Sequence, residues 1–269
     1  MTERSIPDFD LDQIARSGQC FRFRPLGERH YALVAGGRYL EVSQQGQTVR
    51  FDCPEDEFEA VWRPYFDLDA DYGRYKSAVA KRDKYLQSAV AAGGGLRILQ
   101  QELWETIVCF IISQQNNIAR ITKCVENLCL LFGETCYNKS KQVYNVFPSA
   151  ERLAACTADE LAPIRLGYRA KYIVAAARQV ASGEVDLDAV RRMDYAHAKA
   201  ELMRLTGVGV KVAECICLFA LHHIDAFPID THIRQMLDAH YPKGFPLRRY
   251  RGFAGVMQQY AFYYELVKD

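Results

Sequence analysis

The apolar pattern of this chain changes once, near Pro54, and that change limits the fold more than any other feature. Before it, short runs alternate apolar and polar residues, and turns such as Gly36-Gly37 separate them. Alternation with period two predicts an antiparallel meander. After it, apolar residues recur every three or four positions, as in helices. We therefore predict an α+β protein, with a small N-terminal antiparallel β domain over 1–75 and a helical body over 76–269.

The predicted elements follow from these two periods. We expect strands over 20–24, 30–34, 38–42 and 48–51. We expect helices over 102–114, 117–132, 168–182, 195–205, 210–221, 231–240 and 250–266. The run Thr157-Ala158-Asp159-Glu160 has the pattern of a capping box, which predicts a further short helix ending near Gly167.

Composition excludes several classes of protein. With 49% apolar residues among 269, the chain can bury a core, which excludes a disordered protein. The longest apolar run, 215–221, has seven residues, against about 20 for a membrane span. The first residues do not resemble a signal peptide. We expect a protein inside the cell, in the nucleoid-containing cytoplasm of a bacterium or in a eukaryotic nucleus.

Charge and cysteines add weaker constraints. Residues 1–70 hold 8 basic and 13 acidic side chains, and the remainder holds 26 and 20. A mildly basic body suits contact with a polyanion, although chance asymmetry of a solvated surface explains it equally well. The nine cysteines include no Cys-x-x-Cys pair, so free buried thiols are expected rather than disulfides.

The most informative stretch contains Gly207-Val208-Gly209, between two helical patterns. Two glycines permit a tight hairpin and leave N–H groups uncovered at a helix start, where a phosphate can bind. From the glycines alone, a turn that binds nothing is the better interpretation. Lys211 and Cys215 follow on one face of the second helix, and Asp230 suits the N-cap of the next. An amine and a carboxylate together can support nucleophilic catalysis, whereas singly they are more often a surface lysine and a structural cap.

Five blocks carry a resemblance to a known family. They are Ser17-Gly18-Gln19-Cys20-Phe21-Arg22, Asn116-Asn117-Ile118-Ala119-Arg120-Ile121, Leu166-Gly167-Tyr168-Arg169-Ala170, the segment from Leu205 to His232, and the segment from Gln258 to Phe262. In this order they resemble the 8-oxoguanine DNA glycosylase branch of the helix-hairpin-helix (HhH-GPD) superfamily. The resemblance covers nearly the whole chain and implies a two-lobed, all-helical glycosylase domain behind the β domain, with its hairpin at 205–211.

The resemblance also implies an activity. Family members remove 8-oxoguanine from duplex DNA in base excision repair and then nick the strand by β-elimination. Lys211 matches the lysine that attacks C1′ and forms a Schiff base, and Asp230 matches the carboxylate that stabilises the developing positive charge. For the flipped base, Gly18 matches the carbonyl that faces N7, Cys215 and Phe262 match its two faces, and Gln258 matches its Watson–Crick edge. A core face explains Phe262 equally well by pattern.

Further matches concern the duplex. Tyr168 matches the wedge that fills the gap left by the flipped base, and Arg120 and Arg169 match contacts to the estranged cytosine. Without the resemblance, both arginines would be interpreted as solvated surface charges. The sequence predicts Arg120 at the middle of its helix. The remaining residues that match DNA contacts are Asn116, Gly207, Gly209 and His232. Gln115 departs from the family, which commonly has asparagine there. The longer amide puts in doubt a strict preference for cytosine opposite the lesion.

The resemblance implies no metal cofactor. No cysteine follows Cys217, so the iron–sulfur cluster of some relatives is not expected, and Cys215 and Cys217 point to different helix faces. The resemblance allows a monovalent cation that the carbonyl oxygens of the hairpin would bind. We expect a monomer on duplex DNA containing an oxidised purine, with no membrane association.

Two other functions stay open at this stage. One is a monofunctional glycosylase for alkylated purines, in which Asp230 activates water. Lys211 argues against it, because that chemistry needs no amine. The other is a non-catalytic DNA-binding protein that retains the hairpin, which gives no reason for Lys211, Asp230, Gln258 and Phe262 to occur together.

Overall fold

A computed structural model describes residues 1–268. The chain starts with a five-stranded antiparallel sheet in the order β1-β5-β4-β3-β2. The strands are β1 (Thr2–Ser5), β2 (Phe23–Gly27), β3 (His30–Ala35), β4 (Arg38–Gln45) and β5 (Thr48–Phe51). Gly36 and Gly37 have φ of +54° and +75° and join β3 to β4 as a two-residue turn. The predicted meander is therefore confirmed, but its first strand lies over Phe23–Gly27 and not over 20–24.

Burial along the strands shows which face carries the core. In β4, Leu40, Val42 and Gln44 are buried and alternate with more exposed residues. This face packs against aromatic side chains from the segment after the sheet, which contains α2 (Glu55–Glu57), a π-helical turn (Phe58–Trp62) and α3 (Arg63–Tyr65). Strand β1 and helix α1 (Leu11–Arg16) were not predicted.

The rest of the chain is mainly helical. The remaining helices are α4 (Tyr72–Ser77), α5 (Lys84–Ala92), α6 (Leu103–Ser113), α7 (Ile118–Phe132), α8 (Ala150–Ala154), α9 (Arg169–Ala181), α10 (Leu187–Arg191), α11 (Tyr195–Leu202), α12 (Val210–Phe219), α13 (Thr231–His240) and α14 (Ala254–Val267). A small hairpin, β6 (Thr135–Tyr137) and β7 (Val143–Asn145), was not predicted. None of the helices in residues 1–268 is long and apolar enough to cross a membrane.

Helix α6 is the centre of the helical body. Every residue from Leu103 to Ile112 is buried, and the helix contacts α7, α9 and α12. Helix α14 forms a second group with α5 and α13. The two groups match the predicted two-lobed architecture, and the turn at Gly18 lies against α14.

One predicted helix is wrong. The capping-box bonds form, because Glu160 N–H donates to Thr157 Oγ1 (3.3 Å) and Thr157 N–H donates to Glu160 Oε2 (2.7 Å). The chain nevertheless continues only into a 3₁₀ turn, Ala162–Ile164. Pro163 lacks an N–H and disfavours helical geometry in the residue before it, so no α-helix propagates.

Arg97 links the N-terminal segment to the helical body through hydrogen bonds. It is 3% exposed and donates to the carbonyls of Pro7, Asp8, Asp67 and Ala70 at 2.7–3.1 Å. A buried guanidinium needs this full set of acceptors. The division of the chain at residue 75 stays a prediction.

Candidate active site

The Gly-Val-Gly hairpin joins α11 to α12. Gly207 has φ of +87°, and a Cβ there would lie 2.7 Å from Tyr172 Cβ, so the turn is closely packed as well as left-handed. Gly209 is the N-cap of α12 and has no side chain to bond the first N–H groups. The first N–H groups of α12 therefore have no side-chain cap, and the space beside Gly209 is open, which leaves room for a phosphate.

A cavity of about 370 Å³ lies beside this hairpin, between the two helical groups. Eight of the predicted site residues line it: Gly18, Asn116, Lys211, Cys215, Asp230, His232, Gln258 and Phe262. A shallower depression adjoins it and adds Gln115, Tyr168 and Gly209 to the shared residues Asn116, Lys211, Asp230 and His232. Arg120, Arg169 and Gly207 line neither space. The structure thus brings most of the predicted residues to one place.

Lys211 enters the cavity from the first turn of α12. Its Nζ lies 3.4 Å from Ser113 Oγ and 5.3 Å from the centroid of the Phe110 ring. Within residues 1–268, no carboxylate lies within 4.0 Å of this amine. Cys215 stands beside it, and burial raises the pKa of the Cys215 thiol to about 11. The thiol therefore stays protonated at neutral pH and gives the amine a neutral, apolar neighbour.

Asp230 holds the start of α13. Its Oδ1 accepts the N–H of Ile233 at 2.8 Å, the geometry of an N-cap. Its Oδ2 accepts no hydrogen bond from residues 1–268, and Asp230 lines the cavity, so one carboxylate oxygen stays available for a ligand. A fixed carboxylate of this kind can stabilise a positive charge that develops in the cavity.

Glu214 positions the segment that leads to Asp230, and the sequence reasoning missed it. It is 7% exposed, and its Oε2 accepts the N–H of Phe227 (3.0 Å) and the hydroxyl of Tyr195 (2.5 Å). Its other oxygen forms an ion pair with Lys199. An acidic residue inside the apolar run of α12 was the signal that could have found it, because a buried carboxylate needs partners.

The wall opposite Lys211 comes from the Gly18 turn and from α14. Gly18 has φ of +73°, and a Cβ there would lie 3.0 Å from Phe262 Cε1. Gln259, also missed, donates to the carbonyl of Ser17 at 2.8 Å and so holds this turn against the helix. Ser113 also lines the cavity and was missed by the sequence reasoning, because only the folded chain places it beside Lys211.

Gln258 is the clearest sign that the cavity binds a polar ligand. It is 4% exposed, its Nε2 donates to the carbonyl of Pro228 at 3.0 Å, and its buried Oε1 has no partner within residues 1–268. Buried polar atoms are almost always hydrogen-bonded, so an unpaired acceptor that lines a cavity indicates a donor on the ligand. His232 lies near the same wall, with its ring 6.1 Å from that of Phe262 and nearly perpendicular to it.

The depression next to the cavity is shaped by Arg169. This residue is 5% exposed, and its guanidinium donates to the carbonyls of Gln114, Gln115 and Leu166. The interpretation of Arg169 as a solvated surface charge is therefore wrong. Its bonds support Gln115, which has a left-handed φ of +47°, a conformation that costs free energy in a residue with a side chain.

Tyr168 and Arg120 remain on the surface. Tyr168 is 45% exposed and packs edge-on against Tyr172. Arg120 lies in the first turn of α7, not at mid-helix, and donates to the carbonyl of Arg165 at 3.2 Å. No group of three metal-ligating side chains occurs in the part of the chain that the structure describes.

Two family models together match residues 2–243. The model for the 8-oxoguanine DNA glycosylase N-terminal domain matches residues 2–107, and the model for the HhH-GPD superfamily of base excision DNA repair proteins matches residues 108–243. The chain belongs to the 8-oxoguanine DNA glycosylase family of the HhH-GPD superfamily. The two models meet at residues 107 and 108, within α6, which the fold buries as one helix.

Relatives of this glycosylase family match over most of the chain. A Saccharomyces cerevisiae N-glycosylase/DNA lyase is 35% identical over 257 residues, which cover 86% of this chain and 68% of the yeast protein. The solved structure of MBOgg1 in complex with a low-affinity DNA ligand superposes with a TM-score of 0.92 at 37% identity, covering 99% of this chain and 96% of that one.

A third relative has been solved with damaged DNA. It is the Clostridium acetobutylicum 8-oxoguanine glycosylase/lyase, in complex with double-stranded DNA that contains cytosine opposite 8-oxoguanine. It superposes with a TM-score of 0.89 at 33% identity, covering 96% of this chain and 91% of that chain. The similarity thus spans both the sheet and the helical body.

Proposed function

We propose that this chain excises 8-oxoguanine from duplex DNA and then cleaves the strand, with Lys211 as the nucleophile. It is a glycosylase/lyase of base excision repair. The observation that carries the residue assignment is the cavity itself. Lys211, the free oxygen of Asp230 and the unpaired acceptor of Gln258 converge on a space of about 370 Å³ whose remaining walls are largely apolar.

The chemistry follows from this arrangement. Lys211 Nζ attacks C1′ of the sugar, the bond from C1′ to the base breaks, and the oxocarbenium-like charge is stabilised by Asp230. The base leaves with the bonding electrons and takes up a proton. The nitrogen at C1′ then loses its proton as the C1′–O4′ bond breaks and O4′ is protonated, which opens the sugar and gives the Schiff base. The Schiff base acidifies the C2′ proton, and loss of that proton forms the C2′–C3′ double bond as the bond from C3′ to the 3′ phosphate oxygen breaks. The amine attacks in its neutral form, with its lone pair directed at C1′. Its Nζ lies 3.4 Å from Ser113 Oγ and lines the cavity that would receive the sugar.

The damaged base is recognised by residues on both sides of the cavity. Cys215 and Phe262 contact its two faces, the Gly18 carbonyl accepts the N7 hydrogen that guanine lacks, and Gln258 Oε1 accepts from its Watson–Crick edge. Glycine allows the backbone to approach this closely. Ordinary guanine has an acceptor at N7 and would face the Gly18 carbonyl with two lone pairs opposed.

The duplex is held around the cavity. The hairpin at Gly207 and Gly209 and the imidazole of His232 contact phosphates, and Tyr168 enters the stack. Arg120 and Arg169 contact the estranged cytosine, with Asn116 and Gln115 beside it. Arg169 also donates to the carbonyl of Gln115. Because Gln115 is longer than the usual asparagine, we expect a weaker preference for cytosine opposite the lesion than the family commonly has.

Other properties are proposed on the same basis. The protein acts as a monomer on DNA, in the nucleoid of a bacterium or the nucleus of a eukaryote. It uses no metal or iron–sulfur cluster in its chemistry. A monovalent cation at the hairpin carbonyls would support the phosphate contact without taking part in bond breaking.

Borohydride trapping tests the mechanism. The substrates are duplexes with one 8-oxoguanine, paired in turn with each of the four bases. The wild type should form a covalent adduct, Lys211→Gln should bind without forming one, and the exposed-lysine control Lys139→Gln should behave as wild type. An adduct with Lys211→Gln would refute the nucleophile. Base release without any adduct would instead favour water activation by Asp230.

A further inference from the structure

Two loops far apart in sequence place seven cations on one surface at the end of α13. They come from residues 81–84 and 243–251 and are all exposed: Lys81, Arg82, Lys84, Lys243, Arg248, Arg249 and Arg251. We call these seven residues the basic surface. None of them lines the cavity or the depression described above.

Side-chain contacts fix the two loops to each other. The Tyr241 hydroxyl donates to Asp83 Oδ1 at 2.8 Å, and Arg249 donates through Nε and Nη2 to the carbonyl of Ala78 at 3.1 Å. Between them, Tyr250 is fully buried. The cations are therefore held near one another by the fold rather than by chance loop conformations.

The basic surface is electrostatically unsatisfied. Within residues 1–268, none of its seven cations lies within 4.0 Å of a carboxylate. The neighbouring acids are directed elsewhere. Asp83 accepts from Tyr241, and Asp225 accepts the N–H groups of Gly252 and Ala254. Crowded unpaired cations repel one another, and a polyanion removes that repulsion.

Helix α13 connects the basic surface to the cavity. It begins beside Asp230 and His232 on the cavity and ends at His240, ten residues later. Ten residues of helix span about 15 Å, and each base pair of DNA rises about 3.4 Å. The basic surface therefore lies about one helix length from the cavity, a distance that a bound duplex spans in roughly four base pairs.

We propose that the basic surface binds the sugar–phosphate backbone of the duplex about four base pairs to one side of the lesion. This inference rests on the proposed function, since it uses the same bound duplex. Phosphate contacts carry no sequence information. The surface thus strengthens binding to damaged and undamaged DNA alike, and it makes binding depend on the length of duplex on that one side.

The test compares two triple variants that remove the same charge. Lys243→Gln/Arg248→Gln/Arg251→Gln neutralises the basic surface and retains the bonds of Arg249. The control, Arg38→Gln/Lys139→Gln/Lys141→Gln, neutralises exposed cations beside β4 and the β6–β7 hairpin. The dissociation constant for an undamaged 25-base-pair duplex is measured from 50 to 200 mM salt. Unfolding temperatures establish that both variants are folded.

Each phosphate contact contributes about 0.9 to the slope of log affinity against log salt. Removing three contacts should lower the slope by about 2.7. Between 50 and 200 mM salt, the wild type should then lose about 40-fold more affinity than the surface variant. The control should keep the wild-type slope. Equal slopes for all three proteins would overturn the proposal.

A second measurement locates the contact. Excision at subsaturating enzyme is compared on 25-base-pair duplexes whose lesion is central, or three base pairs from either end. The wild type should be slower with one of the two terminal lesions, and the surface variant should lose this difference. Identical wild-type rates on both terminal lesions would contradict a contact on one flank. At saturating enzyme, the variant should excise at the wild-type rate. Failure of the wild type itself to excise would refute the proposed function instead.

Discussion

Gly18→Ala tests whether the Gly18 turn sets the position of the aromatic wall. The backbone there has φ of +73°, and the new Cβ would lie 3.0 Å from the edge of the Phe262 ring. Carbon atoms pack best at about 3.5–4.0 Å. The ring must therefore move by about 0.5–1 Å from the position against which the base would stack.

Two effects of this substitution have different sizes. A left-handed alanine costs about 1–2 kcal/mol, which should lower the unfolding temperature by roughly 2–8 °C in a chain of this length. A misplacement near 1 Å at a reacting centre can cost about 100-fold in rate. We therefore expect the second-order rate constant for 8-oxoguanine excision to fall about 10- to 100-fold.

Gly46→Ala is the matched control. Gly46 has φ of +60°, but a Cβ there would meet nothing within 4 Å. It should show a similar loss of thermal stability with wild-type excision. If Gly18→Ala is destabilised like the control yet excises within twofold of wild type, the ring position does not limit recognition and the reasoning is refuted.

Two further predictions concern the cavity wall and the core. Phe262→Ala should weaken binding to a lesion-containing duplex more than to undamaged duplex, as a gel-shift titration of both would show, whereas equal loss would assign the ring to the core. Burial raises the pKa of Glu105 to about 7, against about 4.3 in an unfolded chain, although Arg22 lies 3.6 Å away. Its protonation stabilises the fold, and this contribution is lost as pH rises through 7. The unfolding temperature of wild type relative to Glu105→Gln should therefore increase as pH falls from 8 to 5, and a constant difference would contradict this.

Much of the fold was predictable because it rests on local signals. The meander follows from alternation and the Gly36-Gly37 turn, and α6 and α7 follow from their apolar period. Strand β1 lacks alternation and pairs with β5, which closes the meander on its far side. Its formation depends on a long-range partner that no local pattern reveals.

The candidate site likewise contains residues that local sequence predicts and residues that only the folded chain reveals. Lys211 and Asp230 were predicted from the motif around the hairpin, and both line the cavity. Ser113, Glu214 and Gln259 act through partners far along the chain, so their roles appear only in the folded molecule. Arg169 shows the converse, because its sequence context suggested exposure while the fold buries it under Gln115.

The buried bonds of Glu214 to Phe227, Tyr195 and Lys199 affect how the reaction depends on ionic strength. Glu214 follows Lys211 by three residues on α12 and bonds the segment that carries Asp230, so the core sets the separation of the two charged groups. Mobile ions screen exposed charges far more than buried ones. Raising ionic strength should therefore weaken capture of the substrate while leaving turnover of the bound complex nearly constant.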